Sequence, residues 1–107
     1  MSRGLGDVYK RQVMWKLKDE AEGNSKAENA KIIKNSLEDL KGKINEIVNI
    51  EVGIDVNKSE QAYDVVLYSI FNSLEDLDSY QKNPDHVKAG SFVKKVASSR
   101  VVVDYEV

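Results

Sequence analysis

Val48-Asn49-Ile50-Glu51-Val52-Gly53-Ile54-Asp55-Val56 alternates apolar and polar residues along its whole length. Side chains of an extended chain point to opposite faces in turn, so these aliphatic residues share one face. The stretch predicts a strand with one covered face and one open face. Asn57-Lys58-Ser59-Glu60 supplies a polar turn, and a second strand follows from about Ala62 to Phe71. That strand is apolar on both sides: Tyr63, Val65, Leu67 and Phe71 on one, Val66, Tyr68 and Ile70 on the other. A strand covered on both sides is central in its sheet or lies at an interface.

The flanking segments complete the pattern. Val13, Trp15 and Leu17 alternate along an earlier strand, and Asp19–Asn24 reads as a polar loop. Ser25-Lys26-Ala27-Glu28 fits a capping box, in which the Ser hydroxyl and the Glu carboxylate satisfy free amides at a helix start. Ala30, Ile33, Leu37, Leu40 and Ile44 recur behind it at helical spacing, with Gly42 as a stop. Downstream, Ser73 caps a short helix carrying Leu74 and Leu77, with Glu75 and Asp76 in the first turn. Pro84 cannot continue that helix but suits the first position of a new one, with Asn83 as its cap. Val87, Phe92, Val93 and Val96 give the new helix its apolar stripe. Arg100–Val107 closes the chain as a strand with Val101, Val103, Tyr105 and Val107 on one face.

The order βαββαβ predicts an α+β, ferredoxin-like fold: a four-stranded antiparallel sheet with its helices on one face. The second apolar face needs a cover. A second copy of the chain would supply it, giving a homodimer in which two sheets close a barrel.

Composition bounds the function. The chain has 107 residues, 41% of them hydrophobic and 32% charged, which is enough for one folded domain with its own core. Sixteen basic residues stand against 18 acidic ones, well mixed, so no basic footprint points to nucleic acid or an anionic membrane surface. No cysteine is present, which excludes disulfides, thiolate catalysis and cysteine metal sites. No apolar run approaches a membrane span, and the expected location is cytoplasmic. Asp64, Asp104 and Glu106 have no ligand spacing and no glycine-rich phosphate loop occurs, so neither a metal nor a cofactor is expected.

Residues 1–12, MSRGLGDVYKRQ, lack the periodicity of the rest. Asp7–Gln12 resembles the translation of a transposon-derived sequencing adapter. These residues read as a leader, non-native or disordered, in front of a single domain over 13–107.

One candidate site stands out. The chain holds one histidine and one proline, both in Tyr80-Gln81-Lys82-Asn83-Pro84-Asp85-His86. Histidine is the side chain whose ordinary pKa allows proton exchange near neutrality. With Pro84 at the first helical position, His86 falls in the first turn, where the positive helix end disfavours imidazolium. A neutral imidazole can take a proton from a carbon acid or polarise a carbonyl. Tyr80, at the end of the preceding helix, carries a phenol that can hold a carbonyl oxygen. The expected setting is the apolar interior of the dimer. The same residues also suffice for a plain helix restart, and that structural reading stays open. Trp15 reads as core or pocket wall, and Tyr63, Tyr68 and Tyr105 as core or interface.

The pattern resembles the Dabb family of dimeric stress-responsive α/β barrel domains. The resemblance rests on Val13–Glu20, Glu51-Val52-Gly53, Tyr63–Leu67, Phe71–Leu77, Tyr80 with Pro84-Asp85-His86-Val87, and Val102-Val103-Asp104-Tyr105. It implies the dimeric ferredoxin-like fold. A plant member, olivetolic acid cyclase, closes a linear polyketide by aldol condensation with a Tyr/His pair at the spacing of Tyr80 and His86. Its other cavity histidines correspond to Arg11 and Val65 here, so the resemblance carries over the pair alone. The resulting expectation is a small dimeric protein that binds a small carbonyl-containing metabolite in an apolar cavity, with Tyr80/His86 acid–base catalysis open. The alternatives are a non-catalytic structural or stress-response module and a cofactor-free monooxygenase-like enzyme.

Overall fold

The computed structural model describes residues 8–107. Strand β1 (Tyr9–Leu17) leads into a two-residue ribbon, β2 (Glu20–Ala21) against β3 (Asn24–Ser25). The ribbon turns through Glu22 and Gly23, both at positive φ, where the expected plain loop lies. Helix α1 (Lys26–Glu38) follows and ends in a 3-10 turn over Asp39–Gly42. Next come β4 (Ile47–Ile54), β5 (Val65–Phe71), α2 (Leu74–Lys82), α3 (Pro84–Val96) and β6 (Ala97–Glu106). The main sheet is antiparallel in the order β4-β5-β1-β6, which is the ferredoxin-like arrangement. β5 is thus an inner strand, as its two apolar faces imply.

The helix starts are set by short polar side chains. Ser25 accepts from the Glu28 amide while the Glu28 carboxylate accepts from the Ser25 amide, completing the capping box. Ser73 accepts from the Asp76 amide at the start of α2. At the start of α3, Asn83 accepts from the Asp85 amide and Pro84 occupies the first helical position.

The helices cover one face of the sheet. Val13, Trp15 and Leu17 of β1 and Val65, Leu67 and Phe71 of β5 pack there against Ile33, Leu37, Leu77, Tyr80, Val93 and Val96. The other face has no helix. Val101, Val103 and Tyr105 of β6 lie exposed on it beside Met14, and Lys10 and Lys16 sit over the rings of Tyr68 and Tyr63.

β5 starts at Val65 rather than about Ala62, β6 starts at Ala97 rather than Arg100, and β4 and β1 differ further from their sequence-predicted form. In β4, Ile47 pairs with Phe71 and Asn49 with Ile70, so Val48 is an extra residue in a bulge. The bulge turns Ile47 inward and leaves Val48 exposed, reversing the alternation at that end. Val56 lies past the strand end and is almost fully exposed. In β1, the strand begins at Tyr9 rather than Val13, so residues 9–12 of the expected leader lie in the sheet. Their inward side chains are held by polar pairs across to β6, Tyr9 with Glu106 and Arg11 with Asp104. Such pairs leave no apolar alternation to read. Of the rest of that leader, Val8 exchanges backbone hydrogen bonds with Val107, and residues 1–7 lie outside the described residues.

Candidate functional site

His86 sits in the third position of α3, as the cap geometry requires. Its Nδ1 lies 3.2 Å from the backbone carbonyl of Gln81. A carbonyl oxygen only accepts, so Nδ1 carries the proton and Nε2 holds the lone pair. Burial holds the imidazole below its usual pKa of 6.5, opposed by the bond to Gln81. The positive charges of Arg11 and Arg100 push the same way as burial. The result is a neutral ring at pH 7 whose free nitrogen is basic.

The Tyr80 ring stacks on His86 at a centroid distance of 4.3 Å, and Phe71 backs Tyr80 at 4.9 Å. Tyr80 has no solvent exposure, and its hydroxyl has no hydrogen-bond partner. Burial pushes the phenol up to about 12, partly offset by the Arg11 guanidinium, so it is protonated throughout the neutral range.

His86 opens on a cavity of about 370 Å³. Its floor is apolar: Val13, Trp15, Leu37, Leu67 and Val93. Its rim is polar: Arg11, Gln81, His86, Lys94 and Arg100. Arg100 faces Trp15 across the β1–β6 ladder, which brings it to the helix side of the sheet. The Arg11 side chain is 11% exposed and forms an ion pair with Asp104 at 3.4 Å. The two candidate residues are therefore together, but only His86 belongs to the cavity wall. Tyr80 lies behind it.

The location differs from the expected one. The cavity lies within one protomer, between sheet and helices, and not between two sheets. The reason is that both residues come from helices, and both helices cover the same face. The cavity also differs from a purely apolar one, because Arg11, Lys94 and Arg100 are part of its wall. Sequence reasoning named Arg11 only as the counterpart of a cavity histidine in the cyclase, and passed over Lys94 and Arg100. A helical signal for part of the wall was present, since residues 86, 90, 93 and 94 share one face of α3. The cross-strand neighbour that brings in Arg100 leaves no such signal. No group of three or more His, Asp or Glu side chains is placed to hold a metal among the described residues.

The profile of the Stress responsive A/B Barrel Domain, Dabb, matches residues 9–107. The chain belongs to the Dabb family. A dimeric protein of ferredoxin-like fold and unknown function from Bacteroides fragilis is 35% identical to this Dabb chain, with a TM-score of 0.84 over 94% of this chain and 96% of that one. A dimeric ferredoxin-like protein from Thermobifida fusca is 19% identical, with a TM-score of 0.82 over 96% and 93%. A hydroxynitrile lyase from Passiflora edulis is 15% identical, with a TM-score of 0.78 over 94% and 93%, a likeness of fold alone. Among curated proteins, none matches the sequence. No helix among the described residues is long and apolar enough to cross a membrane.

Proposed function

We propose that this Dabb protein binds a small carbonyl compound in the cavity beside His86 and moves a proton on it. The observation that carries the reading is the 3.2 Å contact of His86 Nδ1 with the Gln81 carbonyl: a protonated Nδ1 satisfies it, and that leaves a basic Nε2 on a residue of the cavity wall. In the reaction, Nε2 takes a proton from the carbon next to the carbonyl. The C–H electron pair forms the carbon–carbon double bond and the carbonyl π pair moves to oxygen, giving an enolate. Tyr80, which lies behind the imidazole, fixes it by stacking and so positions Nε2 at the cavity wall.

The protein acts as a homodimer in this reading. The exposed apolar face of β6 and β1 supports it, as do relatives of the same fold described as dimeric. A purely structural module would fill its interior, whereas here an open cavity of about 370 Å³ stands beside the one histidine.

The test is deuterium exchange at the methyl group of acetophenone in heavy water, followed by proton NMR. Wild-type protein should accelerate the exchange, and His86→Gln should slow it by about 100-fold or more. Equal rates for the two proteins, or no acceleration by either, would contradict the proton-transfer role.

A further inference from the structure

The cavity wall carries three cations and no carboxylate, in a chain whose acidic residues outnumber its basic ones. Arg11 comes from β1, Arg100 from β6 and Lys94 from α3, so three separate elements each contribute a cation to one cavity wall. Arg11 is already paired with Asp104. Lys94 and Arg100 have no ion-pair partner among the described residues. Like charges gathered around a cavity repel one another and remain together at a cost that an anion would remove. The aromatic Trp15 and the aliphatic floor lie directly beneath them.

We propose that the ligand is an organic acid: a carbonyl compound with a carboxylate that sits among Lys94, Arg100 and Arg11, and an apolar body that covers Trp15. This deepens the reading of the His86 cavity and rests on it. A guanidinium presents two parallel N–H groups that match a carboxylate, so Arg100 sets the orientation and Lys94 adds charge. The carboxylate at the rim then leaves the carbonyl and its neighbouring carbon further in, beside His86. Arg11 lies in the stretch Asp7–Gln12 that resembles an adapter translation, so the test is placed on Arg100 and Lys94.

Phenylglyoxylate and acetophenone differ only in a carboxylate for a methyl on the same phenyl ketone. The chain has one tryptophan and one histidine, and both line the cavity. Each compound is titrated into the full-length protein, with Trp15 fluorescence giving affinity and the His86 ring signals in NMR giving location. The expected result is perturbation of both residues by both compounds, with phenylglyoxylate at least about tenfold tighter, which is about 1.4 kcal/mol. Arg100→Gln and Lys94→Gln should each cut that preference several-fold, and so should added salt. Both positions are exposed, and circular dichroism checks that each variant folds. Acetophenone binding as tightly as phenylglyoxylate would overturn the acid proposal and leave the cavity reading standing. A preference unchanged in both variants would overturn the assignment to Arg100 and Lys94. No perturbation of Trp15 or His86 by either compound would overturn the cavity reading itself.

Discussion

Tyr80 and His86 form one unit, and each has a consequence that can be measured. The Tyr80 hydroxyl is buried without a partner, a state that costs the fold free energy. Tyr80→Phe keeps the ring against Phe71 and His86 and removes the orphan group. We predict that it stabilises the protein by about 1 kcal/mol in urea unfolding and leaves ketone binding unchanged, because the phenol is not part of the cavity wall. A variant that loses stability would show that the hydroxyl has a partner. His86 makes stability depend on pH. Its folded pKa lies below 6.5, so the unfolded chain takes up a proton first as pH falls. The contribution is intact above about 6.5 and is lost as pH falls through the depressed value. His86→Gln should flatten this part of the profile between pH 7.5 and 5. An equally steep profile in the variant would assign the effect to other groups. Of this pair, the sequence revealed the residues and the spacing. It did not reveal that the phenol lies behind the imidazole, because depth within a core depends on which residues pack outside it.

The elements divide by how local their causes are. The start of α3 was legible because Asn83, Pro84 and Asp85 act within one turn, and the structure shows the cap bond at 2.9 Å. Asn83→Ala should cost about 1 kcal/mol in unfolding free energy. It should also disturb the His86 ring signals, since the cap fixes the turn that carries His86. A variant with wild-type stability would deny the capping role. The α1 capping box and the alternation of β5 were legible for the same reason. The bulge at Val48 was not, because it arises from pairing with a partner strand distant in sequence. The same holds for the polar start of β1, where Tyr9 and Arg11 are kept in register by Glu106 and Asp104. Arg100 reached the cavity wall by such a pairing, opposite Trp15.

At the level of the whole molecule, the sheet is asymmetric. One face is closed by α1, α2 and α3, and the other exposes Met14, Val101, Val103 and Tyr105. An apolar face of this kind is ordinarily covered. A second copy of the chain would cover it while leaving the His86 cavity, on the opposite side of the sheet, within each protomer. Sedimentation should therefore give twice the chain mass of 12.1 kDa at micromolar concentration. Val103→Lys, which puts a charge in the centre of the face, should shift the protein to monomer without unfolding it. A wild-type monomer would contradict the dimer, and an unaffected dimer in the variant would move the interface elsewhere. The fold class was legible from the order of strand and helix patterns, and the apolar second face from the alternation of the strands. The side of the sheet that holds the site was not, because it follows from which helices carry Tyr80 and His86 and how they pack.

The account turns on a neutral His86 with its proton on Nδ1. As the chain has one histidine, nitrogen-15 NMR of the imidazole reports this residue without assignment. A pH titration should give an apparent pKa below 6.5, with the Nδ1–H tautomer dominant above it. A pKa at or above 6.5, or a dominant Nε2–H tautomer, would contradict the basic nitrogen on which the proposed chemistry rests.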